Sequence, residues 1–225
     1  MLHVLRKLRL RHKLALSLLL AALLPVVVSS TVAVTIVLRG LERGLAEQTM
    51  RQLRVAMSLV LRHVERLGGE AVKLASAPEL IQAIGASPAE AAEVLAREEP
   101  HLPPSLAQVL DSNGRALAAR AIGGSHERFA SLAVASDSPI VQRGLAYERR
   151  VNISPAGDLL VVRAIAPVVD PSFDLRGVVV MSFPLDGDFA DGIKGALGAD
   201  VLIHSGDGHA MSSFVDHNGG RLGGI

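Results

Sequence analysis

Residues 14–38, LALSLLLAALLPVVVSSTVAVTIVL, run for 25 positions without a charged side chain. At about 1.5 Å of rise per residue, a helix of that length crosses a ~30 Å hydrocarbon core with some tilt. The stretch is read as a transmembrane helix. Before it stand Arg6, Lys7, Arg9, Arg11 and Lys13 with no acidic residue, whereas Arg39 and Arg43 after it are mixed with Glu42 and Glu47. That asymmetry predicts a cytoplasmic N-terminus and an exported remainder. A cleaved signal peptide is the alternative, with small residues at Val28-Ser29-Ser30. Its apolar region is typically about 7–15 residues, shorter than this one. Pro25 is expected to kink the span, with Ser29 near enough to relieve the backbone.

The overall charge of +1 hides a division, because without the five basic residues of the tail 18 Lys and Arg face 22 Asp and Glu. The exported part is therefore acidic, which argues against a nucleic-acid partner. There is no cysteine, so this chain has neither a disulfide framework nor thiol chemistry, as suits a bacterial periplasm.

Past the span, Met50, Leu53, Met57, Val60, Val64, Leu67, Ala71 and Leu74 recur at spacings of three and four. They form the seam of a helix continuing out of the membrane. Two partners fit that seam: the same helix of a second copy, giving a homodimer, or the chain's own folded domain. Gly68-Gly69 marks a point where the two roles could change over.

Ser76-Ala-Pro-Glu and Ser87-Pro-Ala-Glu each read as a serine cap, an early proline and a glutamate three residues on, predicting short helices at about 77–84 and 88–99. Pro100, Pro103 and Pro104 stop helix formation. A hairpin over 106–110 and 115–121 is expected around Asp-Ser-Asn-Gly at 111–114, then a capped helix within 136–145. Strands are expected at 147–154, 158–169 and 177–183, rich in β-branched residues and antiparallel. Asp186 can cap a helix ending at Gly198, and 201–204 with 209–215 read as a last hairpin. The sequence thus predicts an α+β fold: a transmembrane helix continuing into a long helix, then a PAS-like antiparallel sheet with flanking helices. Its expected organisation is a cytoplasmic tail (1–13), a span (14–38), a long juxtamembrane helix (39–76), a sheet domain (77–184) and the start of a second, incomplete module (185–225). The chain is accordingly expected to be the front part of a longer protein.

Two stretches carry a likeness to a known family. Leu106-Ala-Gln-Val-Leu-Asp-Ser-Asn-Gly-Arg-Ala-Leu-Ala118 is similar to a strand, aspartate, turn, glycine, strand motif. Ala164-Ile-Ala-Pro-Val-Val-Asp170 followed by Gly177-Val-Val-Val-Met-Ser-Phe-Pro-Leu-Asp186 is similar to the proline, aspartate, glycine ending that goes with it. Together they resemble the Cache family of extracytoplasmic sensor domains, with a wider linker at 171–176 than the family usually has. The resemblance implies a dimeric inner-membrane receptor that binds a small solute outside and signals inward, most often through a histidine kinase. In double Cache sensors an aromatic and an arginine help recognise amino acids. Tyr147 and Arg149 loosely resemble that pair, but the further tyrosines and the tryptophan of the set are missing.

No metalloprotease, nucleophile-elbow or phosphate-loop motif is present, so no catalytic site is expected in this chain, nor any cofactor. Arg163 interrupts Leu159-Leu-Val-Val162 and Ala164-Ile-Ala166. A charge there must be paired, exposed or used. Alternation places it with Leu159 and Val161, opposite Val162 and Ala164, so it either meets a carboxylate ligand in a pocket or lies on a solvated face. His126, in the loop expected to cover such a pocket, completes the candidate ligand set of Arg163, Tyr147, Arg149 and His126. His204, Asp207, His209, Asp216 and His217 cluster near the end without a diagnostic metal spacing, and no metal site is assigned. A different class of function also fits the pattern: a single-span envelope assembly protein that binds another protein and no solute.

Overall fold

The computed structural model describes residues 10–124, 128–129, 131–157, 159–204, 210–215, 217 and 220–221. The chain divides into two compact units, Met1–Arg54 and Val55–Ile225. In the first, the start of α1 (Leu10–Ala75) is helical through Pro25. Among the described residues α1 is the one helix long and apolar enough to cross a membrane. Its large apolar side chains from Leu23 to Leu38 are exposed, a continuous apolar surface that water does not favour and lipid does. The hydroxyls of Ser29, Thr31 and Thr35 donate to the carbonyls four residues back, Pro25, Val27 and Thr31, at 2.7–2.8 Å. Every one of these polar groups is thereby satisfied without water.

In the second unit, the last turns of α1 are followed by α2 (Pro78–Ala86) and α3 (Pro88–Glu98). Ser87 caps α3 as its sequence predicts, accepting from the Glu90 N–H at 3.2 Å. Ser76 does not cap α2. Its N–H is still bonded to Val72 and Lys73 carbonyls and its hydroxyl donates to the Val72 carbonyl at 2.8 Å, so it closes α1 instead, and Ala77 occupies the cap position.

Five antiparallel strands follow: β1 (Ser105–Asp111), β2 (Ala116–Ile122), β3 (Arg150–Ala156), β4 (Leu159–Val169) and β5 (Leu175–Leu185). Helix α4 (Pro139–Leu145) lies between β2 and β3. The spatial order is β2-β1-β5-β4-β3, which places the two longest and most apolar strands, β4 and β5, inside the sheet. Helix α5 (Gly187–Leu197) begins at Asp186, whose carboxylate accepts from the Phe189 N–H at 3.1 Å, and ends at Gly198. Two three-residue strands, β6 (Leu202–His204) and β7 (Ala210–Ser212), pair beyond it.

Strand alternation sorts the core into two faces. Leu160, Val162, Ala164 and Ala166 of β4, with Val179, Met181 and Phe183 of β5, pack against Leu67, Ala71 and Leu74 of α1 and against α2 and α3. The opposite face meets the segment between β2 and α4 and α4 itself. Gly68 brings α1 close to the sheet, since a Cβ there would lie 2.8 Å from Val151 Cγ2. Gly177 does the same between strands: it pairs with Asp111, and a Cβ would collide with the Leu110 carbonyl oxygen.

Gly177→Ala should therefore destabilise the protein by about 1–3 kcal/mol, the usual cost of forcing extra atoms into a packed region. Urea unfolding of the detergent-solubilised chain, followed by circular dichroism, measures it. An unchanged midpoint would show that β1 and β5 have room to separate.

Candidate functional site

The face of the sheet opposite α1 carries a polar interruption between two apolar clusters. Toward one side, Phe129 and Leu132 of the covering segment pack on Leu106 and Val161. Toward the other, Val134, Ile140 and Val141 pack on Leu110, Ile165, Val178 and Val180. Arg163 stands on β4 between Val161 and Ile165. Its neighbours across the strands are Asn152 on β3 and Ser182 on β5, and Leu106 of β1 lies beyond Ser182. Directly opposed residues of antiparallel strands share a face, so Asn152, Arg163 and Ser182 form a polar row.

Arg163 is half-buried, and its Nη1 donates to Ser154 Oγ at 2.9 Å. Its Nε is buried with no hydrogen-bond partner. Burial lowers the guanidinium pKa from its ordinary value without removing the charge. No carboxylate pairs with it among the described residues, whereas the half-buried Arg128 is held by Asp186 and Asp188. Ser182 beside it is 2% exposed.

Two contacts fix the cover. Gln108, buried on β1, donates from Nε2 to the Val134 carbonyl at 3.1 Å and accepts the Val134 N–H at 3.0 Å. Arg128 forms a two-pronged pair with Asp186, both bonds at 2.8 Å, and approaches Asp188 at 3.0 Å. Asp186 thus caps α5 and holds the covering segment with the same carboxylate.

The other sequence candidates separate from Arg163. Tyr147 and Arg149 do not open β3, which starts at Arg150. The N–H groups of Tyr147 and Glu148 turn back to the Gly144 and Arg143 carbonyls at 3.0 Å, so this stretch terminates α4 and Tyr147 adopts φ 65°. Tyr147 is exposed, and its Oη donates to the Phe173 carbonyl at 3.4 Å. Arg149 lines a groove of about 390 Å³ with Arg150, Val151 and the Gly68–Gly69 turn of α1. His126 lies outside the described residues, as do Asp207, His209 and Asp216 of the histidine and aspartate cluster. Among the described residues no group of three or more His, Asp or Glu is arranged to hold a metal.

Sequence reasoning overlooked Gln108, Ser154 and Ser182. The signal was there for two of them, since Gln108 interrupts Leu106-Ala-Gln-Val-Leu110 and Ser182 interrupts Val178-Val-Val-Met-Ser-Phe183. The wide linker between β4 and β5 is also ordered by a single side chain. Asp170 Oδ1 accepts from the N–H groups of Asp174 and Ser172 at 2.9 and 2.8 Å, and its Oδ2 accepts from Arg176. The Asp174 N–H, then Arg176, hold its carboxyl below the usual aspartate value.

No family model and no curated protein matches the chain. Solved structures do. The sensor domain of the V. cholerae histidine kinase DctB aligns with a TM-score of 0.56 and 15% identity, covering 76% of this chain and 68% of that one. The periplasmic domain of Vibrio cholerae LuxQ aligns with a TM-score of 0.56 and 14% identity, covering 77% of this chain and 82% of that one. At these identities the likeness is one of fold. With its β2-β1-β5-β4-β3 sheet, helices on one face and a covering segment on the other, the chain has the α+β, PAS-like architecture of those periplasmic sensor domains.

Proposed function

We propose that this chain is the sensing part of a membrane-anchored signal-transduction receptor, with residues 1–13 in the cytoplasm, residues 14–38 in the inner membrane and the sheet unit in the periplasm. Residues 77–184 serve as the sensor and residues 185–225 begin a further module. The DctB sensor domain belongs to a histidine kinase, and by that likeness of fold the output of this receptor is a histidine kinase acting in a two-component system.

The ligand in this reading is a small solute bearing a carboxylate, taken up at Arg163. One observation carries it: a half-buried guanidinium on the covered face, with a buried Nε lacking any partner and only a serine hydroxyl at Nη1. A cation removed from water without an anion is costly, and a carboxylate that accepts from Nε and Nη removes the cost with two parallel bonds. Ser182 and Asn152 flank the position and supply further polar contacts. Tyr147 and Arg149 have a lesser part here than Arg163, since both belong to the segment that closes α4.

A thermal-shift screen of residues 40–225 tests the ligand class. Small organic acids should raise the unfolding temperature and neutral sugars should not. Arg163→Ala should lose a charge-assisted bond of about 1.5–3 kcal/mol, hence roughly one to two decades of affinity. Stabilisation by neutral compounds alone, or an Arg163→Ala protein that responds as the parent does, rejects the anionic site.

The homodimer rests on the exposed half of the α1 seam. Leu67, Ala71 and Leu74 are buried in the chain's own core, but Met50, Leu53 and Met57 are 52–58% exposed. Apolar side chains repeated at that spacing suit the same helix of a second copy. Cysteines at Leu53 and Met57 should crosslink between copies in membranes, whereas cysteines at Arg54 and Arg62 should do so poorly. Equal crosslinking at all four rejects the seam.

Topology is read separately. A periplasm-dependent reporter fused after Arg39 should be active and a cytoplasm-dependent one silent. The reverse pattern, or a mature N-terminus near Thr31, would overturn the proposed anchor.

A further inference from the structure

On the α1 side of the sheet, away from Arg163, a cleft of about 440 Å³ opens between α1, the end of β5 and α5. Its walls are largely apolar: Leu59 from α1, Phe183 from β5, and Phe189 and Ile193 from α5. His63 completes them, with its ring 4.1 Å from that of Phe183 and 5.5 Å from that of Phe189. The Phe183 and Phe189 rings meet edge to face at 5.6 Å. Its Nε2 is buried and has no partner, an arrangement that native proteins rarely leave unanswered. Burial, then the charge of Arg66, lowers the His63 pKa from its ordinary value and so favours the uncharged ring. At the rim, Arg128 is engaged by Asp186 and Asp188, and the cation is offset by carboxylates before any ligand arrives.

We propose that this cleft is a second binding site, taking a small, flat, uncharged molecule with one hydrogen-bonding group, of the size and kind of indole or phenol. The volume is in the range of small-molecule sites. Three aromatic rings on one wall favour a flat apolar guest by edge and face contact. The compensated rim gives no preference for an ion. The imidazole nitrogen, brought forward by a turn of its ring, answers the guest's single polar group. This site stands independently of the carboxylate reading, because no residue of the polar row at Arg163 lines it.

The test uses the whole chain in lipid nanodiscs, titrated with indole. The sequence contains no tryptophan, so this chain adds no indole signal of its own, and empty nanodiscs report both the belt protein's background and indole's partition into lipid. The expected result is a saturable component, near one equivalent per chain, that empty nanodiscs lack. Gly192 lines the cleft and a Cβ there meets nothing within 4 Å, so Gly192→Leu is expected to enter the space and leave the fold intact, as circular dichroism checks. It should weaken indole binding at least roughly tenfold. His63→Phe should keep an aromatic wall but abolish the preference for indole over indene, its counterpart without the N–H. A titration identical to empty nanodiscs, or saturable binding indifferent to Gly192→Leu, overturns the site. A preference for indole that survives His63→Phe overturns the role given to the imidazole.

Discussion

The packing of the last turns of α1 on the sheet sets the conditions for everything else in the sheet unit. Leu67, Ala71 and Leu74 are buried to within 3% of full exclusion from water, and the two leucines contribute about 1.5–3 kcal/mol each by burial. The contact is close because residue 68 is glycine and lets the helix backbone approach Val151. The residues that β4 and β5 turn to this helix are apolar, and the alternating residues of the strands carry their polar groups to the other side. Arg163, Ser182 and Gln108 are all found there.

On that other side the cover is held by few but strong contacts. The Arg128–Asp186 fork and the Gln108–Val134 pair fix a segment whose Phe129 and Leu132 pack on the sheet between them. Asp186 is the first residue of α5's cap, so the start of α5 and the position of the cover share one carboxylate. A charge-assisted fork of this kind is directional, and the loss of either partner would remove both of the bonds that hold the cover to the start of α5.

Much of this architecture was legible in the sequence, and the exceptions share a cause. Periodicity located α1, and serine or aspartate caps located α3 and α5, because these signals act within a few residues. Alternation put Arg163 on the correct face of β4, since a strand cannot shift one residue without inverting its whole pattern. Ser76 carried the same local signature as Ser87 but was still held by α1, a neighbour the pattern cannot weigh. Tyr147 looked like a strand opener because aromatic residues favour strands, and the end of α4 claimed it instead. Arg128 could not be recognised at all: its partner lies 58 residues away. Gln108 and Ser182 were passed over because they are uncharged, although a polar atom in a buried strand demands a partner as surely as a charge does.

The outer strand β3 has one neighbour, β4, and a free edge on its other side. Such an edge offers unpaired backbone groups to any other strand that comes near, and proteins confined to a membrane meet their own copies often. Pro155 removes one N–H from the strand, and Arg150 at its start adds a charge that a like copy would repel. The sheet is thereby discouraged from growing sideways into its neighbours, leaving association to surfaces made of side chains.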